Sequence, residues 1–198
     1  MIVFGITGGS GSGKTSVSKM LEKLGVHIID TDVIAHEIVE PNSDCLNELI
    51  DYFGDSILND DKTLNRKKLA SIAFSDKQKT EALSNITHKY IKAEVVKDIN
   101  TTDAELVGID GAVIIGSNVE PRCEFIESVI ADKQSRITRI KTRDNITDEQ
   151  AIQRINAQND DEFYKENSMY IIYNNGDIAQ LESDVVGLFN KIKGNSFE

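Results

Sequence analysis

The chain has 198 residues, 39% of them hydrophobic and 28% charged, enough to bury a core and form one domain with room for an inserted segment. Its formal net charge of −11 argues against a general nucleic-acid or anionic-membrane surface, since either needs basic residues to neutralise phosphates. Cys45 and Cys123 lie far apart and form no C-x-x-C pair, no run approaches the roughly 18 apolar residues of a membrane span, and the N-terminus lacks a signal-peptide pattern, so a cytoplasmic protein with buried thiols is expected.

From the N-terminus, residues 2–6 (IVFGI) read as a strand that runs into GITGGSGSGKTS. There Gly8-x-x-x-x-Gly13-Lys14-Thr15 satisfies the P-loop pattern. In that pattern bare glycine backbone wraps phosphate oxygens, the lysine reaches the outer phosphates and the hydroxyl ligates Mg²⁺. A helix over 14–24 follows, so its N-terminus adds partial positive charge at the same place. Gly8, Gly11, Ser12, Gly13, Lys14, Thr15 and Ser16 are the candidate nucleotide cradle, with Thr7 in support.

A second strand over 26–30 ends at Asp30, with Asp32 two residues on; in extended backbone the two carboxylates would share a side. Asp32 is the candidate general base for an acceptor hydroxyl, with Asp30 as a positioning or metal-water partner. The spacing serves equally well for Asp32 as the cap of a helix starting near Val33.

Helical patterns occupy 43–53, 65–74 and 79–99 with no convincing strand between them, so 42–100 reads as a helical insertion on the acceptor side. LVGID (106–110) is a third strand, ending in Asp110, which is either a Walker-B-like metal partner or part of an Asp-Gly turn. A fourth strand covers 125–131. Next, KQSRITRIKTR (133–143) carries five cations and no acid, with Arg136, Arg139 and Arg143 on one helical face. It reads as a solvated face or as a lid whose arginines bind transferred phosphate; Arg154 and Gln158 on the next helix face the same cleft or solvent. That helix (146–158) opens with a Thr147-x-x-Gln150 capping box, and a fifth strand (169–173) leads to a YNNGD turn.

The alternation of strands and helices predicts an α/β parallel-sheet P-loop NTPase of nucleotide-kinase type, one domain over 1–198 with its insertion at 42–100 and an arginine-bearing lid at about 133–163. His27, His36 and His88 are too scattered for metal ligation. No N-K-x-D guanine motif is present, since NKIK at 190–193 lacks the aspartate. The expected substrates and cofactors are ATP and Mg²⁺ with a small-molecule acceptor. A nucleoside or nucleotide monophosphate kinase and an NTP-dependent switch are the alternatives, and oligomeric state is not legible.

Taken together, these segments resemble the dephospho-CoA kinase family. GITGGSGSGKTSVSKMLEKLGVHIIDTDVIAHEIVEP is similar to its joined T-G-G-x-G-S-G-K-[ST], L-G and D-x-D opening; FGDSILNDDKTLNRKKLASIAFSD and LSNITH resemble its helical segment; RITRIKTRDNITDEQAIQRINAQ with NNG resembles its lid. The resemblance implies transfer of the ATP γ-phosphate to the ribose 3′-hydroxyl of dephospho-CoA. It further implies that Gly11 to Ser16 lie at ATP, Asp32 is the base, and Arg139 and Arg143 are at the phosphates. The chain departs from the family at GAVIIGS (111–117), where Gly116 stands for a usual glutamate, at Lys89 for a usual proline, and at SMYIIYN for A-D-x-V-I-x-N.

Overall fold

The computed structural model describes residues 1–194. Its strands are β1 (Ile2–Thr7), β2 (His27–Asp30), β3 (Leu106–Asp110), β4 (Phe125–Ile130) and β5 (Tyr170–Tyr173), forming one sheet in the order β2-β3-β1-β4-β5. β1 pairs in parallel with β3 and β4, and β4 with β5, so the expected parallel sheet is present. The helices are α1 (Lys14–Lys23), α2 (Thr31–Glu37), α3 (Asp44–Phe53), α4 (Arg66–Ala73), α5 (Lys77–Thr101), α6 (Lys133–Asp144), α7 (Asp148–Asn156), α8 (Asp161–Glu166) and α9 (Ile178–Gly194).

The chain divides into two compact units. One holds Met1–Ile29 and the chain from Thr102 onward; the other is Asp30–Thr101, which begins before position 42 and so takes in α2 as well.

In the first unit, alternate residues of the strands carry the core. Phe4 and Ile6 of β1, Leu106 of β3, Phe125 and Val129 of β4 and Ile172 of β5 pack with Val17 and Leu21 of α1 and with Leu181, Val185, Leu188 and Ile192 of α9. Phe4 and Phe125 are register partners, and their rings stack at 5.2 Å. The helix α9 is not among the elements read from the sequence, although its buried residues follow the four-three-four spacing of an amphipathic helix. A smaller cluster of Ile137 and Ile140 with Ala151 and Ile155 ties α6 to α7, and the Thr147–Gln150 capping box closes both of its hydrogen bonds.

In the second unit, the Ser43 hydroxyl accepts from the Leu46 amide to start α3, and Asn65 does the same for α4 at the Lys68 amide. Asp76 accepts from the Lys79 amide, which accounts for α5 starting earlier than the apolar pattern alone suggests. Lys89 and Tyr90 of α5 both donate to Glu48 of α3, at 2.6 Å each, so the lysine at this usual proline position has an ion-pair partner. Both cysteines are free; Cys45 is buried and Cys123 half-buried. Burial pushes their thiols up to about 11 and about 12, which keeps them protonated at neutral pH.

Candidate active site

The backbone at the end of β1 turns through Gly8 to Gly13 into α1, with Gly11 at φ +77° and Gly13 at φ +100°. A Cβ on Gly13 would lie 2.0 Å from the Asn174 amide nitrogen, so only glycine allows this approach. Every carbonyl from Gly9 to Gly13 has a partner. Gly9 accepts from the Ser12 amide at 3.0 Å, and Gly13 from the amides of Ser16 and Val17. Ser10 accepts from Arg136 Nε at 3.0 Å. Gly11 and Ser12 accept from Arg139 Nη1 at 3.3 and 3.2 Å, and Ser12 also from Asn174 Nδ2 at 2.7 Å. Peptide planes whose oxygens are pulled this way present their N–H ends on the opposite side. The start of α1 carries no side-chain cap, so its first amides remain available to an anion.

The Lys14 ammonium donates to Asp110, whose other oxygen accepts from the Ser18 hydroxyl at 2.7 Å. Asp110, read from the sequence as a metal partner or a turn residue, is 3% exposed and serves here as the counterion of the loop lysine. Thr15 and Ser16 are exposed, while Ser12 is buried with an unpartnered hydroxyl in the loop. These features fit a triphosphate with a hydroxyl-held Mg²⁺. Among the described residues there is no group of three or more His, Cys, Asp or Glu able to hold a metal by themselves.

The three arginines of α6 have different surroundings. Arg136 is buried, donates to Ser10 and Gln158, and lies 3.5 Å from Asp161. It therefore braces the loop, where the sequence reads it as part of a solvated face or of a phosphate-binding lid. Arg139 braces Gly11, Ser12 and, through Nη2, the Asn174 carbonyl at 2.9 Å. Asn174 thus belongs to the loop's support, in the segment that the sequence reads as a turn. Arg143 has a side chain 60% exposed; it makes two hydrogen bonds to Asp144, and Arg154 joins the same carboxylate. Arg143 leads the effects that hold the Asp144 carboxyl down at about 2.

The paired-carboxylate reading of Asp30 and Asp32 also changes. Asp30 ends β2 and is the N-cap of α2, accepting from the amides of Asp32 and Val33 at 2.8 and 3.2 Å. Asp32 lies in the first helical turn, where the period of two no longer applies. The capping role considered for Asp32 is thus filled by Asp30, and the Asp32 side chain is exposed. At the departure around Gly116, the Glu120 carboxylate accepts from the Gly116 amide at 2.5 Å.

One charged group went unread in the sequence because it sits inside an apolar strand. Glu127 of β4 is 0% exposed and neither carboxyl oxygen has a partner. Register places it beside Ile6, whose other neighbour is Asp110. Burial first, then the Asp110 charge, lifts its carboxyl from the ordinary 4.5 to about 8. The folded chain therefore holds a proton that the unfolded chain has lost between those values. This group's contribution is fully retained below 4.5, and stability falls by about 1.4 kcal/mol per pH unit as pH rises towards 8. Glu127→Val is expected to stabilise the protein, by a margin that grows between pH 5 and pH 8 in paired urea denaturation curves; a constant margin would mean that Glu127 does not hold this proton.

A glycine loop of this build at the carboxyl end of the central strand of a parallel sheet defines a P-loop kinase fold. A shikimate kinase from Acinetobacter baumannii shares that fold, at a TM-score of 0.56 and 16% identity over 100% of this chain and 96% of its own. The family model for dephospho-CoA kinase matches residues 2–180, and a Lactobacillus johnsonii dephospho-CoA kinase is 33% identical over 191 residues, 95% of this chain and 96% of that one. The solved dephospho-CoA kinase from Campylobacter jejuni superposes at a TM-score of 0.70, with 26% identity and 98% of each chain covered. The chain belongs to the dephospho-CoA kinase family, transferases that phosphorylate dephospho-CoA to give CoA.

Proposed function

We propose that this protein transfers the γ-phosphoryl group of ATP to the ribose 3′-hydroxyl of dephospho-CoA, releasing ADP and coenzyme A, in the cytoplasm. The observation that carries the nucleotide half of this reading is the loop from Gly9 to Gly13, whose carbonyls are all engaged, so that the amides of Gly11, Gly13 and Lys14, the Lys14 side chain and the uncapped start of α1 serve phosphate oxygens, while the Ser10 and Ser12 amides bond within the protein. Family membership supports the acceptor.

In this reading Lys14 exchanges Asp110 for the outer phosphates, while Ser18 keeps a hydrogen bond to the buried carboxylate. Thr15 would hold Mg²⁺, which when bound offsets the charge on the β and γ oxygens. Asp32 orients the acceptor hydroxyl and takes its proton as the oxygen attacks in line. Arg139 keeps the loop in shape, and Arg143 exchanges Asp144 for the transferred phosphate as the lid closes and excludes water.

The test is ADP production from Mg²⁺-ATP with dephospho-CoA, AMP, CMP, adenosine or no acceptor, with product mass. Stimulation by dephospho-CoA, with one phosphate added, is expected. A preference for AMP or CMP would move the protein to the monophosphate kinases, and ADP formed equally without acceptor would leave an NTP-dependent switch.

A further inference from the structure

The Ser10 peptide of the glycine loop is held on both sides by side chains more than a hundred residues away. Its N–H donates to Gln158 Oε1 at 2.7 Å, and its carbonyl accepts from Arg136 Nε at 3.0 Å. Arg136 Nη2 donates to the same Gln158 oxygen at 3.3 Å, closing a ring, and Arg136 Nη1 lies 3.5 Å from Asp161 of α8. The ring joins the loop to α6 and to the turn between α7 and α8. Its fit is close: a Cβ on Gly9 would lie 2.4 Å from Arg136 Nη2, and one on Gly11 would lie 2.7 Å from the Arg136 carbonyl. The Arg136 guanidinium is buried and each of its three nitrogens has a protein partner, so it has little freedom to give way.

We infer that Arg136 and Gln158 form a latch on the Ser10 peptide, through which the α6–α8 segment sets the shape of the phosphate loop and hence its affinity for nucleotide. The argument is geometric. The Ser10 N–H and C=O belong to consecutive amide planes, Gly9–Ser10 and Ser10–Gly11, so Gln158 and Arg136 hold two neighbouring planes at once, and the second leads directly into Gly11, which is at positive φ. A loop fixed in this way binds phosphate without first losing conformational freedom, whereas an unlatched loop must be ordered by the ligand. Both residues are positioning residues. Opening the segment would break both hydrogen bonds to Ser10 and loosen the nucleotide site, coupling lid position to nucleotide exchange.

This inference rests on the loop binding ATP, so the test reads nucleotide alone, without acceptor. Calorimetric titration with Mg²⁺ and β,γ-methylene-ATP is compared for the unmodified protein, Gln158→Leu, which keeps the bulk and loses the acceptor, and Gln158→Glu, which keeps an acceptor for both donors. Gln158→Leu is expected to raise the Kd about tenfold, as an unsatisfied amide beside a buried guanidinium implies, and Gln158→Glu to stay within about threefold. Exchange of the Ser10 amide hydrogen should quicken in the Leu variant only, a readout that does not depend on ligand and that general destabilisation would spread over the sheet amides too. Equal affinity and equal Ser10 exchange in Gln158→Leu and the unmodified protein would overturn the latch while leaving the kinase reading intact. Failure of the unmodified protein to bind the nucleotide would overturn both.

Discussion

Lys14→Ala should lower kcat/KM for Mg²⁺-ATP on the order of 10³-fold, the scale of removing one positioned charge from a transferring phosphoryl group. The loss has two physical sources that must be separated. Lys14 and Asp110 form a largely buried ion pair, with side chains 14% and 4% exposed. Taking away the cation alone removes the Lys14 charge from beside a buried carboxylate that the Ser18 hydroxyl also serves, at a cost of about 3 kcal/mol. A drop in activity from the single variant is therefore ambiguous between a cold site and an unstable protein. The double variant Lys14→Ala/Asp110→Asn resolves this, because the amide needs no counterion. It should recover most of the thermal stability and none of the turnover. Recovery of turnover would assign Lys14 to the fold and remove it from the chemistry.

The same pair illustrates how much of the site was legible. The glycine-lysine-threonine spacing, the strand before it and the helix after it are local in sequence, and local pattern is what a chain displays most openly. All five strands were readable because each is a short apolar run beside a turn or a helix, and α7 because its capping box is written into four residues, 147–150. Two kinds of information were hidden. The first is the partner of each charge. Arg136, Arg139 and Arg143 look alike in sequence, yet Arg136 is buried against Ser10 and Gln158, Arg139 holds two loop carbonyls, and Arg143 lies on Asp144. For Arg136 and Arg139 the partners lie far away in the chain, whereas Arg143's is the next residue. The second is the point at which one period gives way to another. Asp30 and Asp32 were paired on strand geometry, but the helix begins at Thr31, and one peptide of difference sends the carboxylates to separate tasks. Glu127 combines both problems, being a polar residue whose strand neighbours, Phe125 and Val129 on the same face, are core.

That division of labour makes Asp32→Asn the sharpest test of the proposed chemistry. Asp30 supplies the cap of α2, so replacing Asp32 removes no capping bond. The backbone carbonyl of Asp32, which lies 2.7 Å from His36 Nδ1, is untouched by the change. The side chain is exposed, and an amide matches its shape, so folding should be unaffected and melting temperature unchanged within about 2 °C. What the amide cannot do is accept a proton from an attacking hydroxyl at neutral pH. General-base assistance is worth roughly 10²- to 10⁴-fold, so kcat with dephospho-CoA should fall by that order while the Kd for Mg²⁺-ATP stays within about twofold. Asp30→Asn supplies the contrast, since an amide oxygen still accepts from the two α2 amides and kcat should hold within about fivefold. A variant at 32 that keeps its kcat would free Asp32 of the base role. One that lost ATP affinity with kcat intact would place its charge in nucleotide or metal binding.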